Sequence, residues 1–298
     1  MCGIIAYIGN RNAKQVLIEG LTILQNRGYD SAGIATISSD GELIVTKNAS
    51  QNTTSDSIHY LTKMLDQHGD NNIGIGHTRW ATHGPKTDIN SHPHNDQSNR
   101  FSIVHNGVIE NHNVIRKFLT EHGIECISET DTEVIVQLIS YYSSLGNNFE
   151  QSVVLTSEKL EGTWGLVILD KENPSQLIVT RHGSPLLIGV GNDEMFIGSE
   201  VVAFQKYTTQ YMSLDNDEIV TITYDKDGTK GNKINLNIPG INHTERIKHM
   251  NREEILTTPY PYPYWTIREI SLQPETINSA MNNGGRICNG IFRFILLP

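Results

Sequence analysis

Apolar runs of strand length recur along this chain from Ile4 to Ile222, and they constrain its fold more than any other feature. Residues 3–8 (Gly-Ile-Ile-Ala-Tyr-Ile) read as a buried strand that begins almost at the N-terminus. Ser31–Ile37 and Leu43–Lys47 read as a strand pair across the turn Ser39-Asp40-Gly41. Ile73–His77 and Phe101–His105 are short strands, each ending where polar residues cluster. Helical spacing takes over in Lys14–Asn26, where Val16, Leu17, Leu21 and Leu24 repeat on one face. Helices are also expected over residues 55–68, Asn113–His122, Asp131–Ser143 and Glu150–Leu160. Five further strands follow: Trp164–Asp170, Gln176–Arg181, Leu186–Val190, Met195–Ser199 and Glu218–Tyr224. Strands at both ends with helices between them imply two sheets with helices packed outside, an α+β arrangement.

Bulk properties narrow the function. Net charge is −10 with no block of Lys and Arg, which excludes a phosphate-tracking nucleic-acid surface. No apolar stretch approaches the roughly 20 residues that span a bilayer, and the N-terminus lacks the basic region of a signal peptide. Cys2, Cys126 and Cys288 are too few for a disulfide framework and suit a reducing compartment. A soluble, cytoplasmic protein is expected, without nucleic acid or membrane as partner.

The second residue is a cysteine. Removal of the initiator methionine would leave a thiol and a free α-amine on the same residue. A model α-amine has a pKa of roughly 7.7–8.0 and a thiol about 8.5, so near neutral pH the amine can serve as base to its own nucleophile. The thiolate is the reactive form, so such a base is useful. Gly3 is expected to leave room for a substrate to approach.

Four internal strings accompany Met1-Cys2-Gly3: Arg27-Gly-Tyr-Asp-Ser-Ala-Gly33, His77-Thr-Arg-Trp-Ala-Thr-His-Gly84, His105-Asn-Gly-Val-Ile-Glu-Asn111 and Glu129-Thr-Asp-Thr-Glu133. In this order and spacing the set resembles the class II glutamine amidotransferases and, among them, the glutaminase domain of the glutamine–fructose-6-phosphate aminotransferases. The resemblance covers residues 2–240 and continues weakly through Arg268–Pro274. It implies a four-layer αββα N-terminal-nucleophile hydrolase sandwich, with Cys2 at the start of a central strand. It also implies hydrolysis of L-glutamine as part of aminosugar synthesis, with no cofactor.

The residue types suit that substrate. Free glutamine presents a carboxylate, an ammonium and an amide. Arg79 can pair with the carboxylate in bidentate fashion, and Asp131 can hold the ammonium; Asp131 also precedes a helical run and could cap it. Asn106 and the backbone amide of Gly107 are suitable donors to the oxyanion formed when Cys2 attacks; the alternative is an Asn-Gly hairpin turn. The resemblance adds Thr82, His83 and His92 around the substrate, Trp80 as part of a covering loop, and Arg27 beside the nucleophile. Each has a plainer reading: core packing for Trp80, a loop-anchoring ion pair for Arg27. His92-Pro93-His94 matches zinc-ligand spacing only loosely, and no further ligand stands at a matching spacing, so no metal is expected.

Residues 241–298 change character. Pro259–Trp265 should be extended, because proline disfavours helix in the residue before it. Thr266–Met281 returns to helical spacing through Ile267, Ile270, Ile277 and Met281, and the chain ends on an apolar run, Ile291–Pro298. The segment is expected to be a linker and the truncated start of a sugar-isomerase domain. Its exposed apolar area would favour association into a homo-oligomer. A separate domain or chain binding fructose 6-phosphate would then complete aminosugar synthesis. Two other readings remain open: a stand-alone N-terminal-nucleophile amidohydrolase on another amide, and a non-catalytic glutamine-binding module.

Overall fold

The computed structural model of the chain describes residues 2–51, 56–225, 233–237, 243–250, 261–282, 287–288 and 291–292. It divides into two compact units, residues 1–250 and 251–298.

In the first unit, β1 (Gly3–Ile8) leads into α1 (Ala13–Leu24), capped by the Asn12 side chain, which accepts from the Lys14 amide. The hairpin β2 (Ser31–Ile37) and β3 (Leu43–Ala49) follows, turning at Gly41 with φ +82°. Helix α2 (Ser57–Thr62) precedes β4 (Ile73–Arg79), β5 (His94–Asn95) and β6 (Phe101–Ile109). Three helices come next: α3 (His112–Glu121), α4 (Glu133–Ser144) and α5 (Phe149–Ser157). The remaining strands are β7 (Gly162–Asp170), β8 (Gln176–His182), β9 (Leu187–Val190), β10 (Met195–Gly198), β11 (Gln210–Ser213), β12 (Ile219–Asp225), β13 (Lys233–Asn237) and β14 (Lys248–His249).

Every pairing is antiparallel, and the strands form two sheets in the orders β14-β11-β9-β10-β1-β4-β2-β3 and β13-β12-β8-β7-β6-β5. The period of two along β1 explains the layers. Ile4, Ala6 and Ile8 join Val104, Val167, Val179 and Ile222 in a core between the sheets, whereas Ile5 and Tyr7 point outward onto Val16, Leu17 and Leu21 of α1. On the other side, Phe101, Ile103 and Ile168 pack against Ile115, Leu119, Val134 and Phe149 of α3, α4 and α5. The result is the expected four-layer αββα sandwich, with β1 in the interior of its sheet. Both faces of β1 are covered, so all six of its residues are buried and its sequence reads as one apolar run rather than an alternation.

Two expectations change. The helix over 55–68 is broken: α2 stops at Thr62 and a 3₁₀ turn spans Leu65–His68. The turn delivers the His68 ring into the interior, where its nitrogens lie 2.8 Å from both Thr36 Oγ1 and Thr46 Oγ1. Gly3 serves packing rather than access, since a Cβ there would fall 2.7 Å from both Leu24 Cβ and Thr78 Oγ1.

The second unit contains α6 (Trp265–Asn282), as the helical spacing from Thr266 indicates, and a small strand pair, β15 (Ile287–Cys288) with β16 (Ile291–Phe292). Of the segment expected to be extended, residues 259–260 lie outside the described residues; residues 261–264 form a turn and bend, and Trp265 opens α6. Residues 293–298 of the terminal apolar run also lie outside them.

Candidate active site

Three adjacent strand ends build the site. Cys2 sits at the head of β1, and β1 pairs with β4 so that Ile4 faces His77 in register. Along β4 the inward parity of Ile73 and Ile75 continues to His77 and Arg79. Along β6 the parity of Val104 continues to Asn106 on the facing sheet. Asn106 therefore meets both His77 and Cys2 across the gap between the two sheets.

The Cys2 sulfur is held by the Trp80 backbone: the amide donates to Sγ at 3.2 Å, and the thiol lies 3.6 Å from the Trp80 carbonyl. Burial pushes the Cys2 thiol up from its ordinary value; the Trp80 amide and the positive charge of Arg79 oppose that rise, and Asp131 adds to it. A half-buried thiol whose pKa is raised in this way needs a base to become a thiolate.

Cys2, Arg79, Trp80, Thr82, His83, His92, Gly107 and Asp131 line one cavity, with His105, Thr130 and Thr132 completing its wall. It holds only about 20 Å³ of water-sized space. A second, larger cavity of about 310 Å³ shares Cys2, Thr82 and Gly107 with the first and is bounded further by Asn106, Thr163, Ser184 and Glu200.

Arg79 is buried, and its guanidinium donates to the backbone carbonyls of His83, Gly84 and Pro85. Asp131 is equally buried, and its Oδ2 accepts from the Ile109 amide at 2.9 Å. Neither forms an ion pair among the described residues. The capping role considered for Asp131 is not adopted. Thr132 occupies the N-cap of α4 without a side-chain capping bond, and the Asp131 carboxylate turns instead to the end of β6.

Asn106 and Gly107 do not form a hairpin turn. Both lie within β6, opposite Gly165 and Trp164 of β7. Asn106 Nδ2 donates to the Cys2 carbonyl at 3.0 Å. Gly107 adopts φ +140°, and a Cβ there would come 2.0 Å from the Thr163 carbonyl oxygen, so no other residue fits.

Arg27 stands apart from the cavity. Its Nε makes a 2.7 Å ion pair with Glu200, the loop-anchoring contact named as its plainer reading. Trp80 is 45% exposed, leans on Tyr29 with ring centroids 5.4 Å apart, and lines the cavity instead of packing in the core. His83 is within 3.4 Å of the Thr82 hydroxyl.

Asp30, Thr132 and the roles of the buried histidines His77 and His105 were not singled out from sequence. Asp30 Oδ2 accepts from the Ala81 amide at 2.9 Å and so ties down the loop that carries Trp80. The buried histidines form a directed chain. The His105 amide donates to His92 Nδ1 at 3.3 Å, which makes His92 Nε2 the protonated nitrogen, donating to Thr132 Oγ1 at 3.3 Å. The Thr132 hydroxyl then donates to His105 Nδ1 at 2.9 Å, leaving His105 Nε2–H for the Thr163 carbonyl at 3.4 Å. Burial lowers the pKa of His77, His92, His94 and His105, so the set is neutral. Strand parity was the available signal for His77; the loop contacts of Asp30 and Thr132 left none.

A family model described as glutamine amidotransferase domain matches residues 62–261. The glutamine–fructose-6-phosphate aminotransferase of Caldanaerobacter subterraneus is 38% identical over 290 residues, covering 97% of this chain and 45% of that protein. Its counterpart from Pyrococcus horikoshii is 39% identical over 281 residues, covering 94% of this chain and 45% of that protein. The chain thus spans about half the length of these curated relatives. Among solved structures, a glutamine phosphoribosylpyrophosphate amidotransferase from B. subtilis superposes with a TM-score of 0.63 at 25% identity, over 78% of this chain and 49% of that one. A cysteine at the head of an interior strand, a two-sheet sandwich and these matches agree: the chain belongs to the class II glutamine amidotransferases, with the glutaminase region of the glutamine–fructose-6-phosphate aminotransferase type.

Proposed function

We propose that Cys2, once Met1 is removed, hydrolyses L-glutamine to glutamate and ammonia. One observation carries this reading. A buried cation, Arg79, and a buried anion, Asp131, line the same cavity as the thiol, and neither forms an ion pair among the described residues. Buried charges are costly unless paired, and a free α-amino acid supplies both counter-charges on one carbon.

The proposed steps use the residues around Cys2. The α-amine of Cys2 takes the thiol proton, and the thiolate attacks the amide carbon of glutamine. The carbonyl electrons move onto oxygen, which Asn106 Nδ2–H and the Gly107 amide receive. The second hydrogen of the Asn106 amide serves here, since one already bonds the Cys2 carbonyl. Collapse of the tetrahedral adduct expels the amine, protonated by the α-ammonium, and leaves a thioester. Water deprotonated by the same amine attacks the thioester and releases glutamate and the thiol. The roughly 310 Å³ cavity borders Cys2 but neither Arg79 nor Asp131, and so offers the ammonia a way out that avoids the amino-acid end of the substrate. By analogy with the named relatives, the ammonia acceptor is a fructose 6-phosphate-binding domain or chain.

The test is ammonia release from glutamine, N-acetylglutamine and glutamine α-amide, alongside intact mass. Release from free glutamine alone, by protein lacking Met1, is expected. Equal release from the blocked amides would overturn the charge-pair assignment, and activity with Met1 retained would overturn the N-terminal mechanism.

A further inference from the structure

We infer that His77 is a positioning residue for the reaction: it fixes which end of the Asn106 carboxamide faces the nucleophile. The inference rests on the glutaminase reading above. A carboxamide is nearly symmetric in shape, so packing alone does not decide whether its oxygen or its NH₂ points at the reacting carbon. Hydrogen-bond polarity decides it.

His77 Nε2 lies 3.0 Å from the His105 carbonyl oxygen and 3.0 Å from Asn106 Oδ1. A carbonyl oxygen only accepts, so Nε2 must carry the proton, and the same N–H serves both oxygens. The Asn106 oxygen is thereby drawn toward His77, and Nδ2 is turned toward Cys2, whose carbonyl accepts from it at 3.0 Å. Reversing the amide would set its NH₂ against the His77 N–H and its oxygen against the Cys2 carbonyl, a mismatch at both ends. His77 itself cannot turn away. It is 1% exposed on β4, and its ring stacks on His92 with centroids 4.1 Å apart and planes at 21°. His92 is held in turn by the His105 amide and Thr132. His77 lines neither cavity beside Cys2, so it acts through Asn106 and not on substrate.

Three variants separate this role from a general structural one. His77→Gln keeps an N–H donor near the Nε2 position, His77→Leu removes it, and His77→Asn places it too short. With the substrate-holding Arg79 and Asp131 untouched, His77→Leu and His77→Asn should lower kcat roughly 10–100-fold, somewhat less than outright loss of an oxyanion donor. KM for glutamine should stay within about twofold. His77→Gln should recover most of the rate. In an Asn106→Ala background, His77→Leu should cost nothing further, because its effect passes through the missing carboxamide. Independently of turnover, the side-chain NH₂ resonances of Asn106 in ¹⁵N-labelled protein should shift in His77→Leu and be restored in His77→Gln.

Equal kcat in wild type and His77→Leu, an additive loss in the Asn106→Ala background, or an unchanged Asn106 NH₂ signal would each overturn the inference. A wild-type protein that shows the Asn106 shift pattern but releases no ammonia would overturn the glutaminase reading and leave the positioning standing. Should His77→Leu fail to fold, the contrast between His77→Gln and His77→Asn decides the matter.

Discussion

Removing Asn106 and removing Arg79 should damage the reaction in different ways. On the proposed mechanism Arg79 meets a carboxylate present in substrate and transition state alike, so Arg79→Ala should chiefly raise KM for glutamine. Asp131→Asn should do the same, and it is a cleaner variant than alanine. An asparagine oxygen can still accept from the Ile109 amide, whereas alanine would strand that buried donor at about 1–3 kcal/mol. On the same mechanism Asn106 meets charge that develops only on the way to the tetrahedral adduct. Asn106→Ala should therefore lower kcat by about 100–1000-fold with KM little changed. Steady-state kinetics on the three variants checks the split; a kcat within about twofold of wild type for Asn106→Ala would refute the oxyanion role. The nucleophile admits a simpler test. Cys2→Ala should abolish ammonia release without lowering the melting temperature, because the side chain is only half-buried and touches little beyond the Trp80 backbone.

At the scale of elements, the segment after β4 decides access. The cavity offers about 20 Å³, room for roughly one water molecule, so glutamine enters only if Trp80 and the residues after it swing outward. Asp30 and the Arg79 guanidinium hold that segment by its backbone, and Tyr29 holds the indole. Binding should thus move Trp80 between solvent and substrate. We expect glutamate titrated into the protein to change its intrinsic fluorescence, and Trp80→Phe, which leaves Trp164 and Trp265 in place, to abolish the change. A titration signal that survives Trp80→Phe would refute the covering role. These same elements show how far a sequence carries. The interior strands were legible because burial on both faces leaves an unbroken apolar run, as in Ile4–Ile8. The two-residue strands β5 and β14 carry no such run, and β11 is only partly buried. Asn106-Gly107 resembled a turn because its dipeptide is favoured in turns. Within β6, Gly107 is instead required by its close approach to Thr163. Arg79 and Asp131 were legible as a charge pair, whereas the hydrogen bond from Ile109 to Asp131 depends on where β6 ends beside α4, which no local pattern encodes.

For the molecule as a whole, the buried histidines set an acid limit on stability. His68 is fully buried and burial lowers its pKa to about 4. His77 is likewise lowered to about 3. Burial also holds His92 and His94 well below the ordinary value of 6.5. In each case the folded protein keeps the ring neutral, while the unfolded chain takes up a proton below about pH 6.5. The unfolded state then binds more protons, so stability falls as pH falls, by about 1.4 kcal/mol per pH unit for each such histidine. The loss begins near pH 6.5; His68 ceases to add to it near 4 and His77 near 3. Protonation cannot be absorbed locally, because His92 Nδ1 already accepts from the His105 amide and a proton there would oppose that donor. Chemical denaturation at a series of pH values should show a plateau near neutrality and a steep acid limb with a slope of more than one proton. His68→Gln, which can still meet Thr36 and Thr46 by hydrogen bonds, should make that limb shallower by about one proton between pH 6 and 4. An acid limb unchanged in slope by His68→Gln would mean that carboxylates, not buried imidazoles, govern the acid instability of this fold.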